Sequence, residues 1–235
     1  MAGRVIIIGA GLAGLTAALA ARKEGAAVLV VDRGPIGLGT NSALANGVMS
    51  GPSDRYGAED YIRDTLRAGS GLNCGARVRL MAREAPSAFR VLRSVGIPIR
   101  ERGAQRTVVS PDPSVIPGVT LMRMLADHVR GLDGVHTLPG FCVTELLRRD
   151  GRARGIRGFD RRGGQLEIEA PAVVLATGGA GAVWQRHDNQ KRIMGQGYAL
   201  AAEAGLDLLD MEFVQFYPLV LAEPGLPALI VYPPF

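Results

Sequence analysis

Near its start the chain carries an unbroken apolar run, Val5-Ile6-Ile7-Ile8, rich in β-branched residues and without polar alternation. Such a run predicts a strand buried on both faces, as in a parallel sheet. Residues 28–32 (Val-Leu-Val-Val-Asp) repeat the pattern, with an Ala-rich helical segment between the two. Strand, helix and strand in that order predict an α/β fold. Residues 58–69 open with Glu59 and Asp60 and close on the basic side with Arg63 and Arg67, the distribution a helix dipole favours. Over 76–95 the residues Val78, Met81, Ala82, Ala85, Phe89 and Leu92 recur at helical spacing. Pro86 interrupts them, so a kink or two shorter helices are expected, with Met81 and Phe89 in the core. These helical segments are expected to cover the sheet. Thr120 reads as the N-cap of a helix through Val129.

The second half changes period. Residues 135–147 read as a strand, 149–151 as a turn, 155–159 as a strand, 161–164 as a turn and 165–169 as a third strand. Alternating segments joined by close turns predict an antiparallel meander. Residues 171–176 then form an apolar run, read as a buried strand, that empties into Thr177-Gly178-Gly179-Ala180-Gly181.

Glycine placement supplies the chemistry. Gly9, Gly11 and Gly14 stand at G-x-G-x-x-G spacing where the first strand meets its helix. There Gly9 permits the turn, Gly11 lets backbone approach a pyrophosphate, and Gly14 lets helix pack on strand. The helix N-terminus then faces the phosphates with its dipole. Asp32 closes the second strand about 20 residues on, where an acid suits a ribose hydroxyl. The loop 33–48, small and rich in hydroxyls and amides, suits an extended ligand. A second glycine-rich exit at 177–181 marks another close backbone approach at the carboxyl edge of a sheet. The expectation is a dinucleotide site.

Bulk properties narrow the field. At 235 residues, 47% of them apolar, the chain can bury a proper core. A net charge of +5 invites a nucleic-acid reading, but Lys23 and Lys191 are the only lysines and the arginines are scattered, so no nucleic-acid partner is expected. Cys74 and Cys142 lack metal-ligand or disulfide spacing; no metal is expected, Cys142 reads as a small core residue, and a reducing cytoplasm is the default location. The apolar run at 5–21 falls short of the ~20 residues of a spanning helix, so no direct membrane insertion is expected.

The motifs in sequence order say more. G-A-G-L-A-G, N-S-A-L-A-N-G, A-T-G-G-A-G, M-G-Q-G-Y-A-L-A and L-L-D-M-E-F-V-Q-F-Y-P, from Arg4 to about Pro218, strongly resemble the flavoproteins of succinate dehydrogenase, fumarate reductase and L-aspartate oxidase. The resemblance implies a Rossmann-like FAD-binding domain over 1–218, its parallel sheet joined by the meander, and the start of a truncated capping domain at 219–235. By position, Gly9, Gly11, Ala13 and Gly14 would meet the FAD pyrophosphate, and Asp32 the adenosine ribose, with Arg33 and Gly34 beside it. Thr40, Asn41, Ser42, Ala45 and Gly47 would lie against the flavin; Phe141 and Cys142 would read the adenine; Ala176, Thr177 and Gly178 would flank the adenosine and diphosphate.

Three departures qualify the resemblance. Asn41 stands where respiratory members attach FAD through a histidine, which implies noncovalent FAD. Gln196 replaces an acid that helps hold FAD. Tyr217 replaces a histidine near the dicarboxylate substrate and remains the candidate substrate contact. His187 and Asn189 fall where the family has a polar loop, with His187 read as solvent-exposed and Trp184 as packing. The family's catalytic arginine would lie beyond Phe235, so the sequence reads as a fragment or as one half of a split flavoprotein. The implied parent is an FAD-dependent oxidoreductase moving a hydride between a small organic acid and flavin N5, with a possible electron-transfer partner subunit. Two rivals stay open: an electron-transfer or scaffold flavoprotein without a substrate of its own, and a nucleotide-binding module without flavin.

Overall fold

A computed structural model describes residues 3–217, 219–221, 223 and 229–230. In chain order its elements begin with β1 (Arg4–Ile8), α1 (Leu12–Lys23), β2 (Ala27–Asp32), α2 (Asn41–Leu44), β3 (Val48–Ser50), α3 (Ala58–Ala68) and α4 (Gly75–Ser94). There follow β4 (Ile99–Arg102), β5 (Gln105–Val108), α5 (Pro117–Arg130), β6 (Val135–Pro139), β7 (Cys142–Arg149) and β8 (Arg152–Phe159). The last are β9 (Gln165–Glu169), β10 (Ala172–Leu175), a 3₁₀ turn at Gly181–Val183, α6 (Gln196–Glu203), β11 (Val220–Leu221) and β12 (Leu229–Ile230). They form two compact units, Met1–Asn41 with Val129–Phe235, and Ser42–His128.

The first unit is built on a parallel sheet of order β10-β1-β2-β6. Its strands alternate between two buried faces. Ile6, Ile8 and Val31 join Phe141, Val143 and Ile156 in one cluster, so the antiparallel meander β7-β8-β9 covers that face. Ile7, Val28 and Val30 point the other way, where α1 packs on β1, β2 and β10 and buries Gly14, Leu15 and Ala18. Full burial of an aliphatic side chain is worth ~1.5–3 kcal/mol. Arg157 bridges Glu145 and Glu167 on the meander, but all three are largely exposed, and such pairs contribute at most ~1 kcal/mol. Burial therefore holds the layers together.

The second unit has its own antiparallel sheet, β3-β5-β4. Phe89 of α4 packs against Gly51, which follows β3, and its ring lies 4.3 Å from the Arg106 guanidinium of β5. α4 thus covers the small sheet of its own unit. α3 buries no residue fully and pairs with α4.

Several expectations are corrected. The single strand expected over 135–147 is two strands in two sheets. Gly140 (φ 77°) turns the chain, and the Phe141 N–H donates to the Asp32 carbonyl at 3.0 Å, ending one ladder before β7 begins the next. α5 starts at Pro117, whose missing N–H costs nothing in the first turn, and the Thr120 hydroxyl pairs with Ser110 at 2.8 Å instead of capping. Pro86 sits inside one unbroken helix. Met81 and Trp184 are exposed rather than packed, at 46% and 57%. β10 is only half-buried, with β1 its one described neighbour in the sheet. The loop 33–48 contains the short α2.

The expected boundary at 218 falls on a residue outside those described, as does most of 219–235; of that stretch the structure shows the β11–β12 ladder. Among the described residues no helix is long and apolar enough to cross a membrane.

Candidate dinucleotide site

Three strand exits of the first unit meet at the carboxyl edge of the parallel sheet. Gly9 leaves β1 at φ 107°, its N–H donating to the Val31 carbonyl at 2.8 Å, while the Ala176 N–H reaches back to the Ile8 carbonyl at 2.8 Å. A Cβ on Gly9 would stand 2.2 Å from the Ala176 carbonyl oxygen, and one on Gly14 would stand 1.9 Å from the oxygen of Gly9. Bare backbone at both positions is what lets β1, β10 and α1 close up. Gly11 is the N-cap of α1 in extended conformation and brings no capping side chain of its own. Ala13, in the first turn, is exposed. The positive end of α1 thus has no N-cap side chain of its own, and its dipole favours an anion there.

Asp32 ties two of these exits together. Its Oδ2 accepts the N–H of Ala10 at 2.8 Å and its Oδ1 the N–H of Gly34 at 2.7 Å. The carboxylate is half-buried, and each oxygen keeps a lone pair for a hydroxyl donor. The acid joins the turns that follow β1 and β2.

The loop after β2 meets the loop after β10. Arg33 donates through Nη2 to the carbonyl of Arg192, and a Cβ on Gly34 would stand 3.0 Å from Arg192 Nη1. Asn41 donates from Nδ2 to Asn189 Oδ1 at 2.5 Å and accepts the N–H of Gln190 through Oδ1 at 2.8 Å. His187, expected at the surface, is half-buried and accepts the Asn189 N–H at Nδ1 (3.1 Å). Thr40 is buried, its hydroxyl donating to the Gly37 carbonyl at 2.7 Å. Gln190 and Arg192 escaped the sequence reading because their loop has neither periodicity nor a fixed motif.

Gln196 opens α6, and its Nε2 donates to the Val143 carbonyl at 2.5 Å and lies 3.4 Å from Cys142 Sγ. The amide braces α6 on β7. Thr177 packs against Gly197 of the same helix, while Gly178 is exposed at the mouth of the edge. Phe141 is fully buried and Cys142 half-buried.

Ser42, Ala45 and Gly47 belong to the second unit. There the Ala45 carbonyl accepts the Gly118 N–H at 2.9 Å, a Cβ on Gly118 would stand 2.4 Å from the Ser42 carbonyl, and the Gly47 carbonyl accepts from Val108 at 2.9 Å. Tyr217 is exposed at 41%, in an exposed apolar stretch with Phe213 and Phe216. Among the described residues no cluster of His, Cys, Asp and Glu could hold a metal ion. Tyr56, hydrogen-bonded to Asp64 at 2.6 Å, has its pKa pushed up to about 12, which leaves its hydroxyl protonated at neutral pH.

Geometry and donor set fit an FAD: a cradle that a Cβ would fill, a helix that starts at a glycine N-cap, and an acid about 20 residues beyond the glycines. The FAD binding domain family model matches residues 4–231. L-aspartate oxidase of Streptomyces coelicolor is 34% identical over 94% of this chain and 41% of its own length. That of Agrobacterium fabrum is 35% identical, over 96% and 45%. Among solved structures, Escherichia coli quinol fumarate reductase matches with a TM-score of 0.77 at 25% identity, covering 86% of this chain and 37% of the other. The Mycobacterium smegmatis Sdh1 complex gives 0.73 at 30%, covering 86% and 39%. The chain spans less than half the length of these relatives.

Proposed function

Since the chain belongs to the FAD binding domain family, we propose that it is the cofactor-holding part of a flavin-dependent oxidoreductase acting on a small organic acid, with FAD held noncovalently. The observation that carries the proposal is the convergence of Gly9–Gly14, Asp32 and Ala176–Gly178 on one edge of the parallel sheet, two of the exits being joined through Asp32. L-aspartate oxidase relatives and fumarate reductase neighbours favour a dicarboxylate or amino dicarboxylate as substrate. Neighbours taken from multi-subunit assemblies favour an electron-transfer partner. Two free cysteines, Cys74 and Cys142, favour a reducing compartment such as the cytoplasm.

When bound, FAD supplies a hydride acceptor at flavin N5. The chain's part is binding and orientation. The N-terminus of α1 offsets phosphate charge, Asp32 takes the adenosine ribose, and Gly9, Gly11, Ala13 and Gly14 admit the diphosphate. Thr40, Asn41, Ser42, Ala45 and Gly47 are the residues assigned to the flavin side, and Phe141, Cys142, Ala176, Thr177 and Gly178 to the adenosine side. Asn41 has no atom that forms a bond to flavin carbon, which supports noncovalent attachment.

Purified full-length protein should show flavin absorbance, and acid precipitation should release all of it to the supernatant. Colour kept in the pellet excludes noncovalent binding; no flavin bands after added FAD excludes flavin binding. Dye reduction by aspartate, succinate and related acids identifies the substrate. Tyr217, in place of a potentially cationic histidine, favours a second reading, an electron-transfer flavoprotein with no substrate of its own; dye reduction by none of these acids would select it.

A further inference from the structure

The segment from Gly181 to Gly195 is a loop closed at its base. The Ala182 N–H donates to the Ile193 carbonyl at 2.9 Å, and the Gly195 N–H to the Gly179 carbonyl at 3.2 Å. Its tip is shaped from within, where Asn189 donates its main-chain N–H to His187 and its Nδ2 to Asp188 at 3.0 Å. Two fastenings then attach the tip to the chain that follows β2. Asn41 uses both ends of its amide, on Asn189 and on the Gln190 N–H, and Arg33 holds the Arg192 carbonyl. In the sheet β10 and β2 lie on either side of β1. A loop rooted after β10 and fastened after β2 therefore reaches laterally past the β1 exit, where Gly9, Gly11 and Gly14 stand.

We propose that residues 187–192 are a strap that retains the dinucleotide, and that Asn41 and Arg33 are its clasp. The proposal rests on the FAD reading above and adds a role for residues that it leaves unassigned: Asn189, Gln190 and Arg192. A coenzyme lying along the glycine edge leaves only after the strap lifts, and lifting breaks both bonds of the Asn41 amide together with that of Arg33. Retention is thus set by two side chains after β2, Asn41 and Arg33, that hold the side chain and main chain of the strap. Asn41 is a positioning residue in this scheme, holding by reversible hydrogen bonds what a covalent link would hold outright. Its exposure means that truncation removes the clasp without opening a core cavity.

The strap carries its own reporters, since Arg186, Lys191 and Arg192 are exposed trypsin sites. The test uses full-length holoprotein, wild type against Asn41→Ala, Arg33→Ala, Asn189→Ala and the Asn41/Asn189 double variant. Tryptic cutting at Lys191 and Arg192 is followed by mass spectrometry, and FAD release by the rise in flavin fluorescence on dilution. Asn41→Ala is expected to speed both by roughly tenfold, the loss of two modest hydrogen bonds. Asn189→Ala should have a smaller effect, because the Gln190 N–H keeps its acceptor. The double variant should fall short of the product of the two single effects, since the Asn41–Asn189 bond is shared and only the Asn189–Asp188 bond is lost in addition. Unchanged release in a protein that takes up FAD normally overturns the strap while sparing the FAD reading, whether or not cutting accelerates. A wild-type protein that takes up no FAD sinks both.

Discussion

Gly197, one residue into α6, lies so close to Thr177 that a Cβ placed on it would stand 1.8 Å from Oγ1, 2.8 Å from Cβ and 3.1 Å from Cγ2. Rotating the threonine moves Oγ1 and Cγ2, but every χ1 well leaves its own Cβ 2.8 Å away. Gly197→Ala is expected to push apart α6 and the 176–178 exit, lowering stability by about 1–3 kcal/mol and the bound FAD with it. Urea unfolding and the flavin-to-protein absorbance ratio check both. Thr177→Ala made alongside should relieve part of the crowding and so restore part of the loss.

Asp32 serves two main-chain donors, one from each exit. In Asp32→Asn one carboxylate oxygen becomes an NH₂, which faces an N–H whichever way the amide turns. A buried or half-buried donor left without its acceptor costs about 1–3 kcal/mol. Lower denaturation midpoints and weaker FAD binding are both expected, measured by urea titration and by reconstitution of the apoprotein. Unaltered stability would mean that the two turns hold their shape unaided.

Arg106 is 4% exposed and satisfies the carbonyls of Gly51 (2.9 Å) and Pro52 (2.5 Å) as well as Glu101 (3.1 Å), with Phe89 over its face. A lysine offers one ammonium where the guanidinium offers a flat fork, so Arg106→Lys should not rescue. About 2–3 kcal/mol of destabilisation is expected for lysine and more for alanine, which strands buried carbonyls. Chemical denaturation of the two variants checks the order.

The same network makes the second unit sensitive to acid. The hydrogen bond from Arg93 (2.9 Å), with the charges of Arg106 and Arg93 behind it, holds the Glu101 carboxyl below its ordinary range. A carboxylate depressed by folding stabilises at any pH above its unfolded value, roughly 4.3, and that contribution is lost as pH falls through the lower folded value. Melting temperatures should therefore drop below about pH 4.5. In Glu101→Gln that acid-side slope should be shallower, and the midpoint at pH 7 lower. Parallel slopes in the two proteins would remove Glu101 from the account.

What could be read in advance follows from how local each cause is. β1 and β2 were legible because Ile6 to Ile8 and Val28 to Val31 carry their burial in their own composition, and the glycines that end them act within a few residues. The meander was legible from its turns, and the Asp150-Gly151 pair does close β7 onto β8. The break between β6 and β7 was not. Both sides of it are apolar, and the bond that enforces it joins Phe141 to Asp32, more than a hundred residues away. The same holds for the site: Gly9, Gly14 and Asp32 announce themselves by spacing, whereas Gln190 and Arg192 matter through partners at Asn41 and Arg33 that no local pattern reveals. Met81 kept helical spacing yet points to solvent, because periodicity marks a face without saying how far the cover extends.

One carboxylate stitching two turns has a consequence for redesign. On the proposed reading, coenzyme preference and the contour of the glycine edge are inherited together, because the group assigned to the sugar is also the seam between Ala10 and Gly34. Any attempt to retrain the pocket toward a phosphorylated ribose must first furnish another pair of acceptors for those two amides. A swap of the acid alone would alter the vessel along with its taste.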